Sequence, residues 1–219
     1  MSTKRTYLSY FGVKEGKAIR ALASKRDEIL VRYINWAIRL HISPKQVTLF
    51  GFLIQLILFP LFFALKWYSL AFLVLFIHVV LDAFDGPLAR AQKVDSNSGA
   101  LADILSDTTG LVIVGLSMIF FGEIDYPGLV ALYLVFHLYH TAFNIALNLY
   151  QRPLKFILHT KFFFFWLVLI KYLYNIDIIP IFLWISVIYM VINCLIALAR
   201  IFGVLKEIDA SDKAAMNGK

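Results

Sequence analysis

Asp82-Ala83-Phe84-Asp85-Gly86-Pro87-Leu88-Ala89-Arg90 closes one long apolar run, and Gly99, Asp103 and Asp107 stand at the start of the next. A carboxylate near hydrocarbon costs several kcal/mol and is rarely there without a function. Here four recur at helical spacing, among glycines and one arginine. Asp82 and Asp85 are three residues apart, and Asp103 and Asp107 are four apart. Both spacings place a pair on one face of a helix. The intervening loop is short, so the two helices are expected to be antiparallel neighbours whose four carboxylates converge. Such a cluster repels itself and demands a counter-charge. Clustered hard oxygen ligands suit Mg²⁺, Mn²⁺ or Ca²⁺ better than Zn²⁺. Gly86 and Gly99 allow close approach of a ligand, and Arg90 offers a guanidinium fork for phosphate oxygens. Metals held by carboxylates and bridged by a diphosphate are suited to in-line phosphoryl substitution.

The remainder of the chain explains the setting. Of 219 residues, 61% are apolar and 20 are Phe; the mean hydropathy is +0.77. A soluble core cannot absorb that composition, so the fold class is all-α integral membrane. Apolar runs over 46–65, 68–88, 100–121, 127–150, 162–174 and 178–202 predict six transmembrane helices, the fifth being short. A cytoplasmic basic segment (1–45), a six-helix membrane catalytic domain (46–203) and a cytoplasmic tail (204–219) follow. The start of the chain lacks the pattern of a secretory signal peptide, and Ser2 excludes N-myristoylation. Cys194 reads as a small packing residue.

Charge sets the orientation. Basic residues crowd the segment before the first run and the loops carrying Arg90 and Lys93, and Arg152, Lys155 and Lys161; only Lys66 and Lys171 fall on the other side. The positive-inside rule makes the crowded side cytoplasmic, with both termini and the aspartates on it. The net charge of +7 is therefore a topology signal, and nucleic acid is not an expected partner. Over 27–40, Leu30, Ile34, Ala37, Ile38 and His41 share one helical face, with Arg26, Arg32 and Arg39 off it. That pattern fits an N-terminal interfacial amphipathic helix, the plainer alternative being a basic lead-in.

The pattern D-x-x-D-G-x-x-A-R, eight residues, then G-x-x-x-D-x-x-x-D resembles the signature of the CDP-alcohol phosphotransferases. Asp82, Asp85, Gly86, Ala89, Arg90, Gly99, Asp103 and Asp107 match every signature position. The resemblance implies a six-helix homodimer that moves a phosphate-linked group from a CDP-alcohol to a hydroxyl and releases CMP. It implies two divalent ions, Mg²⁺ or Mn²⁺, held by Asp82, Asp85 and Asp103 with Asp107 close by. Asp107 would also be the general base. Gly86, Ala89 and Gly99 would line the nucleotide and diphosphate pocket, and Arg90 would support it. His41-Ile42-Ser43-Pro44-Lys45-Gln46-Val47-Thr48 resembles the family's entry to its first span, with Lys45 where Asn is usual; Thr48 is a candidate pocket residue, or simply a helix initiator after Pro44.

The expected donor is CDP-diacylglycerol or a similar lipid-linked CDP compound, and the acceptor a small polar alcohol. The alternative transfers a phosphoalcohol from soluble CDP-choline or CDP-ethanolamine to diacylglycerol. A cation transporter is the rival class, but transport sites lie near the midplane, and these carboxylates sit toward one edge. For the acceptor, His137, Thr141, Asn144 and Asn148 share one face of the fourth run, lining either a cavity or a helix contact. Arg152 and Lys155 are candidates for an acceptor phosphate, set against ordinary contact with anionic headgroups. The sequence names neither the acceptor nor the preferred metal.

Overall fold

The computed structural model describes residues 16–94, 96–154, 157–158 and 160–217, with side chains from Arg26 to Lys213. Among the described residues there are seven helices and no strand. They are α1 (Gly16–Arg39), α2 (Pro44–Ala64), α3 (Tyr68–Ala91), α4 (Asn97–Phe121), α5 (Pro127–Leu149), α6 (Thr160–Tyr174) and α7 (Ile179–Asn217).

Local chemistry fixes the helix ends. Ser43 caps α2 through a reciprocal box: Gln46 N–H donates to Ser43 Oγ at 3.3 Å, and Ser43 N–H donates to Gln46 Oε1 at 2.8 Å. Pro44 follows at the first helical position, where its missing N–H costs nothing. Ser96 Oγ caps α4 by accepting from Gly99 N–H at 3.1 Å. Several helices stop on a left-handed residue, among them His41, Lys66, Lys93 and Gln151. The N–H after each reaches back to the last turn: Ile42 to Ala37 O, Trp67 to Phe62 O, Val94 to Ala89 O and Arg152 to Leu147 O. These closures turn the chain sharply without leaving orphan carbonyls.

Five helices, α2, α3, α4, α5 and α7, are long and apolar enough to cross a membrane. Their outward faces carry large exposed apolar residues such as Leu53, Ile57, Phe76, Phe120, Trp184 and Ile188. α6 has 15 residues, about 22 Å of rise, short of a full crossing by length, so the expected count of six is not established by length. Its two ends nevertheless lie at opposite ends of the bundle: Lys161 meets Asp107, and Tyr172 packs on Phe63 and Tyr68. Two boundaries differ from the sequence expectation. α1 begins at Gly16 rather than near residue 27, and α7 continues unbroken through 204 to Asn217, so the expected tail is largely helix.

Small residues and aromatic packing hold the bundle. Gly51 of α2 faces His78 and Leu81 of α3, and Gly110 of α4 lies against the Gln55 carboxamide of α2. A Cβ on Gly115 would stand 2.8 Å from two Leu134 carbons, so α4 and α5 approach closely there. The main core joins Phe59, Phe63, Phe72, Leu111, Met118, Tyr133, Phe164, Leu183 and Met190. A smaller cluster of Ile34, Ala37, Val47 and Leu88, with Leu30 and Phe84 against it, seats α1 on the bundle. Ile34 and Ala37 belong to the face expected from the sequence; Ile29, Tyr33, Trp36 and Leu40 form a second, exposed stripe.

The end of the bundle away from the aspartates is tied by polar contacts. Tyr126 Oη donates to Asp177 at 2.7 Å, and Lys171 pairs with the same carboxylate. Lys66 pairs with Glu123 at 2.5 Å, and Tyr172 Oη donates to Gly122 O at 2.6 Å. Burial would raise the Asp177 carboxyl, but the Lys171 and Tyr126 hydrogen bonds outweigh it and hold the group below its ordinary range. Burial and the Asp177 contact push the Tyr126 phenol well up. A cleft of about 520 Å³ opens here, lined by Lys66, Trp67, Tyr68, Ser69, Leu70, Tyr172 and Leu173. None of the four motif aspartates lines it.

Candidate active site

α3 ends, and α4 begins, at the other end of the bundle. Helical spacing puts Asp82 and Asp85 on the inner side of α3 and Asp103 and Asp107 on the inner side of α4, as the sequence predicts. Asp82 lies within hydrogen-bonding reach of both Asp103 and Asp107, and Asp85 is close enough to feel Asp82 and Asp107. Asp85 is 7% exposed. Thr48 on α2 donates its hydroxyl to Asp85 Oδ2 at 2.5 Å. The same hydroxyl lies 3.1 Å from the Pro44 carbonyl oxygen, a second acceptor for its one proton. Thr48 therefore contacts a motif aspartate as well as the first turn of its own helix.

The counter-charge comes from a residue outside the motif. Lys161, the second residue of α6, forms an ion pair with Asp107. It is only 8% exposed. A lysine that deeply placed needs a paired anion. The segment before it is fastened on both sides: Tyr133 Oη and Thr160 Oγ1 are 3.0 Å apart, and Leu158 N–H donates to Tyr189 Oη at 2.7 Å. Arg200 donates to Pro153 O at 3.2 Å. α5 and α7 thus jointly deliver Lys161 to α4. Sequence reasoning grouped Lys161 with the basic loop charges, because its partner lies two helices away.

His78 is a second residue that the motif does not contain. It is buried one turn before Asp82 on the same face of α3, near enough to sense both Asp82 and Lys161. Its offset of four from Asp82 was the available signal.

Arg90 extends from the end of α3 toward α1. Its Nε donates to Asp27 Oδ2 at 3.1 Å, and its Nη2 contacts Asp27 Oδ1 and Oδ2 at 2.9 and 2.8 Å. Gly86 lies beneath this guanidinium: a Cβ there would meet Arg90 Nη1 at 3.5 Å. Ala89 is part-buried, and Gly99 is exposed in the first turn of α4.

The acceptor candidates separate. His137, Thr141 and Asn144 are buried on α5, where the Asn144 amide lies 3.3 Å from His140 and the His140 ring stands 6.0 Å from Tyr189 of α7. At His140 this helix meets α7. Arg152 is exposed and pairs with Glu207 at 3.1 Å. Lys155, like His159, lies outside the described residues.

The donor set is entirely oxygen, and four interacting carboxylates meet one lysine. That excess of negative charge fits a hard divalent cation. Among the described residues no three His, Cys, Asp or Glu side chains are drawn together closely enough to enclose an ion as they stand. Asp107 is engaged by Lys161, so it joins a ligand shell only if that pair rearranges.

Fold and site together define a multi-helix membrane protein with a cluster of carboxylates at one end of its bundle. The chain belongs to the CDP-alcohol phosphatidyltransferase family, whose model matches residues 41–212. It is 39% identical over 66 residues to inner membrane protein YnjF of Escherichia coli (strain K12), covering 30% of this chain and 31% of that protein. It is 36% identical over 89 residues to an uncharacterized protein of Aquifex aeolicus (strain VF5), covering 40% of this chain and 44% of the relative. The matched stretch is therefore less than half the length of either relative. No solved structure matches the chain.

Proposed function

We propose that the protein transfers a phosphatidyl group from CDP-diacylglycerol, or a similar lipid-linked CDP donor, to the hydroxyl of a small polar alcohol, releasing CMP. The observation that carries this reading is the convergence of Asp82, Asp85, Asp103 and Asp107 at one end of the bundle, in a chain of this family. In the proposed orientation that end faces the cytoplasm, together with both termini, and six helices cross the membrane. Placing the reacting groups at a membrane edge suits one substrate drawn from the leaflet and another from water.

Asp82, Asp85 and Asp103 would hold two divalent ions, Mg²⁺ or Mn²⁺, with Asp107 beside them. When bound, the ions would neutralise the diphosphate and the charge developing on its leaving oxygen. Thr48 fixes the Asp85 carboxylate through its hydroxyl, which limits the orientations available to that ligand. Asp107 would take the proton from the acceptor hydroxyl as it attacks the donor phosphorus; the bond to CMP breaks and CMP departs. Lys161 is ion-paired with Asp107, and that pair would open for Asp107 to accept the proton. Arg90 and the open backbone at Gly86 would receive the diphosphate. A homodimer is part of the proposal, on the family resemblance alone.

The test is CMP release by purified protein given CDP-diacylglycerol and Mg²⁺ or Mn²⁺. Glycerol 3-phosphate, inositol 1-phosphate, inositol, serine and choline are offered one at a time. Acceptor-dependent CMP establishes the reaction and names the product. No CMP with any acceptor, followed by CMP with CDP-choline and diacylglycerol, reverses the direction proposed here.

A further inference from the structure

We propose that Arg26, carried by α1, is a second guanidinium of the donor's phosphate subsite, set over Gly86 beside Arg90, with Asp27 as the positioning residue between the two. The proposal rests on the functional reading above and adds to it a residue outside both the signature and the region matched by the family model.

Three observations carry it. First, two guanidiniums converge on one motif position. A Cβ on Gly86 would lie 3.5 Å from Arg90 Nη1 and 4.0 Å from Arg26 Nη2. Second, only one carboxylate lies between them, and it is largely taken. Asp27 accepts three contacts from Arg90, whereas its Oδ1 stands 3.5 Å from Arg26 Nε. Third, Arg26 Nε is buried and makes no hydrogen bond. Two guanidiniums thus share one carboxylate beside a backbone with no side chain. Adjacent guanidiniums repel. A structure that nevertheless holds them together over an open glycine suits a multiply charged phosphate ligand, and a diphosphate offers several acceptor oxygens.

Asp27 has a distinct part. It spans α1 and α3 and fixes the plane of the Arg90 fork. Its removal would leave Arg90 in place but unoriented. The hydrophobic seat formed by Ile34, Ala37, Val47 and Leu88 holds α1 against α3 independently of these charges. Variants at 26 and 27 should therefore fold.

The experiment is calorimetric binding of CDP, without lipid chains, to purified full-length protein in detergent with Mg²⁺. Arg26→Ala is expected to weaken CDP binding roughly 10- to 100-fold, the loss of one or two charged hydrogen bonds. Arg26→Lys should recover part of it, and Arg39→Ala, on the same helix, none of the loss. Asp27→Asn should weaken binding by a smaller factor and leave thermal stability nearly unchanged. A second arm measures association with vesicles containing anionic phospholipid. Unchanged CDP affinity in Arg26→Ala, with reduced vesicle association, would assign the guanidinium to a lipid headgroup and overturn the proposal. Failure of the unaltered protein to bind CDP would overturn the functional reading itself. Binding by the unaltered protein with equal binding by Arg26→Ala removes only Arg26.

Discussion

Replacing Lys161 with Met tests the electrostatic account of the site directly. Met keeps the length of the side chain and most of its packing but deletes the ammonium. Asp107 is then left beside Asp82 with no cation of the protein's own. Stripping one partner from a buried pair typically costs about 3–5 kcal/mol. The Lys161 side chain is 10% exposed and that of Asp107 27% exposed, so water reaches the remaining carboxylate in part. The expected loss is therefore near the lower end, about 3 kcal/mol, measured by denaturation in mixed micelles with EDTA present. Mg²⁺ should restore much of it, because a cation at the aspartates replaces the missing charge; an ion at a hundred times its Kd contributes about 2.7 kcal/mol. Asp107→Asn in the same background should also recover stability, giving a coupling energy of about 1–3 kcal/mol in the double-mutant cycle. A loss under about 1 kcal/mol in EDTA, or strictly additive single variants, would refute the claim that Lys161 is the counter-charge of Asp107.

Asp107→Asn alone should abolish CMP release while CDP binding survives, by calorimetry on the purified variant; joint loss of both would make Asp107 chiefly a ligand. Arg152→Ala should raise the acceptor's KM at constant kcat if the residue leaves Glu207 to grip an acceptor phosphate, and an unchanged KM removes it from the pocket. Gly110→Ala would drive a methyl into the buried Gln55 carboxamide. It should destabilise by about 1–3 kcal/mol, with partial rescue by Gln55→Ala. At the opposite end, the Asp177 carboxyl is depressed by its partners despite burial. Its contribution to stability is complete above the unfolded value of about 3.9 and is lost as pH falls through the lower folded value. Tyr126→Phe should cost about 1.5–3 kcal/mol at neutral pH, less in acid, without changing activity.

The apolar runs and the spacing of the four aspartates carry most of what the structure contains, because both depend on helical periodicity alone. Asp82, Asp85, Asp103 and Asp107 meet because each pair shares a face and the turn after Ala91 is short. Pro44 and Ser43 likewise announce the start of α2. What periodicity does not encode is pairing between distant helices. Lys161 looks like any loop cation until α5 and α7 pin the segment before it against α4. Asp27 looks like one acid in a basic segment until α1 packs on α3 and brings it to Arg90. His78 was within reach of the same spacing argument that found Asp82. The length of α7 was hidden differently: residues beyond 204 are polar, and a helix that has left the apolar layer needs no hydrophobic signal to continue.

The two ends of the bundle are tied by different residues. One is cross-linked by Tyr126, Lys171 and Asp177, by Lys66 and Glu123, and by the Tyr172 hydroxyl on Gly122. The other gathers the four aspartates and is tied by Lys161 to Asp107, Thr48 to Asp85 and Arg90 to Asp27. Rearranging the Lys161–Asp107 pair therefore need not disturb the polar ties at the far end, which share no residue with it.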